Sequence, residues 1–150
     1  MIWKETATHT PDETEEIGRT LAAALTEDKA LPRFVALYGD LGVGKTAFVR
    51  GFVSIIAPNT AVRSPTFALV NEYRGGKFPV FHFDMYRIES EDDLYSIGFY
   101  DYLDGGICLV EWSENIPFAL PDEYFRVRIE KTKEDENERI ITIERMEGSC

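Results

Sequence analysis

The stretch Gly39-Asp40-Leu41-Gly42-Val43-Gly44-Lys45-Thr46 spells G-x-x-x-x-G-K-T, and it restricts the fold of this chain more than any other segment. Such a run is meaningful between a buried strand and a helix. Its glycines let the backbone curl into a nest of N–H donors, and the helix that follows turns its positive end toward an anion. Both flanks fit. Phe34-Val35-Ala36-Leu37-Tyr38 is an unalternating apolar run, as expected of a strand covered on both faces. After the motif, Phe48, Val49, Phe52, Val53 and Ile56 recur at helical spacing until Pro58. The expected ligand is a nucleotide polyphosphate held by residues 39–46 and Ala47. Lys45 should reach the β- and γ-phosphates, and the Thr46 hydroxyl should sit on Mg²⁺.

The rest of the chain reads as alternating elements. Thr10-Pro11-Asp12-Glu13 predicts a helix start, with Thr10 as N-cap, Pro11 in the first turn and Glu13 closing a capping box. Ile17, Leu21, Ala24 and Leu25 supply its apolar face, and Pro32 marks the break beyond it. Residues 68–73 and 78–84 are strand-like on either side of Arg74-Gly75-Gly76-Lys77, which predicts an antiparallel hairpin. Ser90-Glu91-Asp92-Asp93 opens a short helix with Leu94 and Ile97 as its apolar positions. Ile107-Cys108-Leu109-Val110 is a buried strand ending in Glu111-Trp112, and two further strands, near 124–130 and 139–144, flank a hydrophilic turn. The expected architecture is one α/β domain over residues 1–150, a P-loop NTPase domain whose mixed parallel and antiparallel sheet is flanked by helices.

A phosphate-binding loop of this kind needs a carboxylate to hold the metal or orient the attacking water, usually at the end of a neighbouring buried strand. Two acids stand in that position, Asp84 after 78–83 and Glu111 after 107–110. Strand alternation puts His82 and Asp84 on one face and Phe81 and Phe83 on the other. The residues do not divide the metal and water roles between the two acids. Arg63-Ser64-Pro65-Thr66-Phe67 lies where nucleotide switches place a threonine that contacts Mg²⁺ and the γ-phosphate, and it also has the form of an ordinary Ser-Pro turn. Arg87 is positioned either to neutralise phosphate charge or to pair with the acidic run 89–93. Trp112 either packs in the core or rims the site. Thr132-Lys133-Glu134-Asp135 imitates a guanine-reading T-K-x-D. It is discounted because no D-x-x-G accompanies it and it falls in a charged turn.

Charge narrows the partners. With 27 acidic against 16 basic side chains and a formal net charge of −11, the chain repels phosphate backbones, so strong direct binding to nucleic acid by this chain alone is not expected. Its apolar runs are far shorter than the roughly 20 residues needed to cross a bilayer. Two cysteines, Cys108 and Cys150, form neither a metal spacing nor a disulfide framework. A cytoplasmic protein without membrane association is the expectation.

In combination, G-D-L-G-V-G-K-T at 39–46, S-P-T-F at 64–67, N-E-Y at 71–73, H-F-D-M-Y-R at 82–87 and L-V-E-W at 109–112 resemble the bacterial TsaE (YjeE) family, from about Thr10 to Trp112. The resemblance implies an ATPase that binds ATP or ADP with Mg²⁺. It would work with TsaD and TsaB proteins in making the threonylcarbamoyl modification of tRNA adenosine, hydrolysing ATP weakly alone and faster with those partners. It also implies that Lys45 and Thr46 hold phosphate and metal, that Asp84 and Glu111 serve hydrolysis and metal binding, and that Thr66 belongs to a switch. Two other classes fit a P-loop chain: a small-molecule or nucleoside kinase, for whose second pocket and lid 150 residues leave little room, and an adaptor that senses nucleotide without needing its hydrolysis.

Overall fold

The structure is a computed structural model that describes residues 1–39, 44–63 and 70–147. Asp40, Leu41, Gly42 and Val43 of the glycine-rich motif, and Thr66 with its neighbours 64–69, lie outside the described residues. Among the described residues the elements run β1 (Ile2–Thr8), α1 (Pro11–Glu27), β2 (Phe34–Tyr38), α2 (Lys45–Ile56), β3 (Val70–Tyr73), β4 (Val80–Asp84), α3 (Glu91–Ser96), α4 (Phe99–Tyr102), β5 (Ile107–Glu111), β6 (Tyr124–Lys131) and β7 (Arg139–Met146). The strands form one sheet in the order β1-β7-β6-β2-β5-β4-β3. Its centre is parallel, β2 lying between β5 and β6 with β4 beyond β5. The margins are antiparallel, with β3 on β4 at one side and β6, β7 and β1 at the other.

The unalternating apolar run of β2 has a direct explanation in the two layers that cover it. Val35 and Leu37 face a core formed with Leu21 and Leu25 of α1 and Phe48 and Phe52 of α2. Phe34 and Ala36 face the other core, with Phe83, Leu94, Phe99 and Val110. Residues on both faces of the central strands are therefore withdrawn from water, at about 25 cal/mol for each Å² of apolar surface.

Helices α1 and α2 lie close enough for backbone to touch backbone. A Cβ built on Gly51 would come within 1.9 Å of the Glu15 carbonyl oxygen, and one on Gly18 within 2.2 Å of the Phe48 carbonyl oxygen. Glycine at these two positions is what permits the approach.

Several boundaries differ from the sequence reading. At the start of α1 the Thr10 hydroxyl accepts from Glu13 N at 3.1 Å, as expected. The Glu13 carboxylate, however, accepts from His9 N at 2.6 Å, one residue short of a capping box. The buried face of α1 includes Ala22 where Ala24 was expected, because Ala22 falls on the i, i+4, i+7 row of Gly18 and Leu25. Strand β4 begins at Val80 and leaves out Phe78 and Pro79. Pro79 has no N–H to give a ladder, although its carbonyl still accepts from Ile107 N at 2.9 Å. Strand β1, which the sequence reading did not anticipate, is an edge strand with a register shift between Ile2 and Lys4.

Candidate functional site

The site is built where parallel strands end. Alternation puts His82 and Asp84 of β4, and Glu111 of β5, on the sheet face covered by α2, the face of Val80 and Leu109. The parallel register sets Asp84 directly opposite Glu111. Helix α2 opens with Lys45 at this end, after Gly44 in the left-handed region at φ 110°.

The loops that follow the two acids are locked to each other. Met85 N donates to the Glu111 carbonyl at 3.0 Å. The Asn115 side-chain amide donates to the carbonyls of Met85 and Tyr86 at 2.9 and 3.2 Å. Ser113 Oγ returns to the Val110 carbonyl at 2.7 Å. Both strand ends thus present their side chains from a hydrogen-bonded frame.

Three charged groups meet here with little access to water: Lys45 is 5% exposed, Asp84 8% and Glu111 6%. Lys45 Nζ donates to the Gly39 carbonyl at 2.7 Å and stands 4.6 Å from the centre of the Trp112 ring. Burial pushes the Asp84 carboxyl above its ordinary value. The Glu111 charge adds to the rise, while a hydrogen bond from Tyr86 N at 2.9 Å and the charge of Lys45 oppose it. Glu111 is held from its other side, its Oε2 lying 2.5 Å from His82 Nε2.

This donor set fits a hard divalent cation that takes a minority of its ligands from protein. Two nearly buried carboxylates repel each other, and the proton affinity of Asp84 registers that repulsion. A cation shared with phosphate oxygens would relieve it. Among the described residues no group of three or more His, Cys, Asp or Glu side chains is placed to hold a metal ion by itself.

The structure brings together Lys45, Asp84 and Glu111, with half-buried Thr46 as the second residue of α2. Ala47 is buried one residue further on. Gly39 joins them through its carbonyl, whereas Asp40, Leu41, Gly42, Val43 and Thr66 are outside the described residues. Arg87 is exposed and makes no ion pair with 89–93 among the described residues. Asp93 instead serves the start of α3, its carboxylate accepting from Glu89 N and Ser90 N. Trp112 rims the site. It takes φ 58°, which a tryptophan rarely adopts, and that strained turn lays its ring against Lys45 and, at 5.0 Å between centroids, Tyr86. The T-K-E-D imitation is a turn closed on itself, with the Thr132 hydroxyl donating to the Asp135 carbonyl and accepting from Asp135 N.

Sequence reasoning missed a second part of the site. A pocket of about 190 Å³ adjoins the opening of α2, lined by Gly44 and Ala47 together with Thr10, Pro11 and Thr14 at the start of α1, Asn137 of the β6–β7 turn and Arg139 at the head of β7. These residues are far apart in the chain, and Thr10 and Pro11 carry the ordinary signature of a helix cap. No local signal marks them as a group. The roles of His82 and Asn115 were also missed, since each depends on a contact 29 or 30 residues away.

Comparison with known proteins gives a consistent answer. A family model described as threonylcarbamoyl adenosine biosynthesis protein TsaE matches residues 8–141. The tRNA threonylcarbamoyladenosine biosynthesis protein TsaE of Bacillus subtilis (strain 168) is 38% identical over 133 residues, covering 88% of this chain and 80% of that protein. The protein of the same name from Rickettsia bellii is 34% identical over 145 residues, covering 96% of this chain and 98% of its own. The crystal structure of Bacillus subtilis YdiB superimposes with a TM-score of 0.75 at 33% identity, covering 99% of this chain and 88% of that one.

Proposed function

Because the chain belongs to the TsaE family, we propose that it is the Mg²⁺-dependent ATPase of tRNA threonylcarbamoyladenosine biosynthesis, acting as one cytoplasmic P-loop domain over residues 1–150 with a TsaD–TsaB-type complex. The observation that carries this reading is the convergence of Lys45 with Asp84 and Glu111 at the ends of adjacent parallel strands. A basic group for the phosphates and two acids for metal and water are the parts that phosphoryl transfer to water requires.

ATP enters with its phosphates on residues 39–46 and its nucleoside toward the pocket between Ala47, Thr10 and Asn137. Lys45 exchanges the Gly39 carbonyl for the β- and γ-phosphate oxygens, and the first N–H groups of α2 face the same charge. Bound with the nucleotide, Mg²⁺ supplies further neutralisation of phosphate charge, and Thr46 with Asp84 or Glu111 would hold it. The other acid orients a water in line with the γ-phosphorus. The new P–O bond forms as the bond to the β–γ bridging oxygen breaks, leaving ADP and phosphate. Thr66 contacts the γ-phosphate from its own segment. Turnover is slow in the free chain and rises in the partner complex, where it resets the complex between rounds of modification.

Hydrolysis and nucleotide titration of two variants test the assignments. Glu111→Gln should bind ATP at least as tightly as the wild type, since a charge near the triphosphate is removed, and should turn it over at a small fraction of the rate. Asp84→Asn should show a steeper dependence on Mg²⁺ if Asp84 is the metal-side acid. Wild-type rates in both variants would remove the carboxylates from the mechanism.

A further inference from the structure

His82 is entirely buried, and each of its ring nitrogens has a partner. Nε2 lies 2.5 Å from Glu111 Oε2, and Nδ1 lies 3.4 Å from the Tyr73 hydroxyl. That hydroxyl in turn accepts from Arg63 N at 3.3 Å and reaches the Arg63 carbonyl at 3.2 Å. A chain of polar contacts therefore crosses an otherwise apolar core, from the backbone of Arg63 through Tyr73 and His82 to the Glu111 carboxylate. Arg63 immediately precedes the segment that carries Thr66.

The proton inventory gives this chain a direction. A carboxylate only accepts, so the imidazole donates from Nε2, and in the neutral ring Nδ1 is then the acceptor. Tyr73 has one hydroxyl proton and two acceptors within reach, His82 Nδ1 and the Arg63 carbonyl. The Asn71 side-chain amide already donates to that carbonyl at 2.8 Å. The hydroxyl can therefore turn to His82 without leaving the carbonyl unsatisfied. With Oε2 taken by His82, Oε1 is the Glu111 oxygen left to act on a water.

We infer that His82 is a positioning residue that fixes the Glu111 carboxylate for hydrolysis, and that Tyr73 ties this orientation to the backbone at Arg63. The inference rests on the reading of Glu111 as a hydrolytic acid. Any buried neutral histidine has one donor and one acceptor to satisfy, so what distinguishes His82 is the identity of its partners. Here they are the carboxylate of the proposed hydrolytic acid and a hydroxyl bonded to the Arg63 backbone.

The test uses the whole chain with Mg²⁺-ATP and measures kcat, KM, ATP affinity by calorimetric titration and thermal unfolding. The variants are His82→Leu, His82→Gln, Tyr73→Phe and the Tyr73→Phe/His82→Gln pair, with Glu111→Gln as reference. A misplaced reacting group costs about 10²-fold in rate. His82→Leu should therefore lose about that much kcat while KM and ATP affinity stay within about twofold. His82→Gln keeps an N–H donor for Glu111 and should recover at least a tenth of the wild-type rate. Tyr73→Phe should slow the wild type but add nothing to His82→Gln, the non-additivity expected of residues acting in one path. Wild-type kcat in His82→Leu, equal losses in the Leu and Gln variants, or additive losses in the pair would overturn the inference. So would a fall in ATP affinity that matches the fall in kcat, which would make His82 a packing residue. Should His82→Leu fail to fold, the Gln variant and the pair decide. If Glu111→Gln itself turns over at the wild-type rate, the reading of Glu111 falls; if only His82→Leu does, the path alone falls.

Discussion

Lys45 is satisfied in the structure by the Gly39 carbonyl and the Trp112 ring, and in the proposed reading the carbonyl gives way to the nucleotide. A neutral carbonyl and an exposed-side ring are weaker partners than two phosphates, so the exchange runs toward ATP. Lys45→Ala should leave the fold intact, abolish hydrolysis and weaken nucleotide binding by about 1.5–3 kcal/mol, roughly 10–10²-fold. Titration of the variant with ATP checks both parts. Asp84 allows a second prediction, from the sign of its shift. Burial, with a contribution from Glu111, makes the folded chain hold this proton more tightly than the unfolded chain does. Stability contributed by Asp84 therefore falls as pH climbs from the ordinary carboxylate range through the raised value, and is lowest above it. Without nucleotide or metal, Asp84→Asn should melt at a higher temperature than the wild type at pH 7. The difference should shrink as pH drops below the ordinary carboxylate range, which a series of thermal melts would reveal. Lys45, Asp84 and Glu111 were legible because each sits at the end of a patterned element. The His82–Glu111 pair was not. Alternation gives the face of His82 but not which strand lies beside β4, and that neighbour comes from 29 residues further along the chain.

At the scale of elements, the strands and helices nearest the site were the most legible. Phe34–Tyr38 and Lys45–Ile56 match their apolar runs, because burial on both faces leaves a strong signal in β2 and a one-sided stripe marks α2. Strand β1 carries no such signal. Its seven residues include Lys4, Glu5, Thr6 and Thr8, as an edge strand permits, and its one large anchor is Trp3 against Phe125, 5.8 Å between ring centres. Nothing in those residues specifies that they pair with β7, more than 130 positions away. The packing of α1 on α2 was equally hidden, since Gly18 and Gly51 read from sequence only as weak helix residues. In the fold they are the contact itself. Gly51→Ala would place a methyl group 1.9 Å from the Glu15 carbonyl oxygen, and neither backbone can give way alone. The variant should lose at least about 1–3 kcal/mol in a denaturant titration, although alanine is intrinsically the better helix former. Unchanged stability would mean that the two helices are not packed this closely.

The whole molecule carries a net charge of −11, and that field bears on how it takes part in an RNA modification. Binding to a nucleic-acid backbone draws on the release of condensed counterions by basic side chains, and each phosphate neutralised steepens the dependence on salt. Here 27 acids oppose 16 bases. Lys45, nearly withdrawn from solvent at the site, is committed to the nucleotide in the reading proposed above. The described residues also contain no helix long and apolar enough to cross a membrane. In the function proposed above, the route to tRNA is through a partner protein. A chain with opposite charge would gain from the acidic field, and the association would weaken as salt rises. Fluorescence anisotropy with labelled tRNA at moderate salt should accordingly give no binding by this chain alone, with or without ATP. Adding a TsaD–TsaB-type complex should raise the rate of ATP hydrolysis, and the increase should diminish between about 0.05 and 0.3 M salt, where the screening length falls well below the span of the charged surface. The rate of the isolated chain should change far less over that range, because its charged groups act on ATP at contact distance and out of solvent. Tight tRNA binding by the isolated chain would overturn the charge argument. Hydrolysis already maximal without partners would remove the need for a complex and leave an ATPase that works alone.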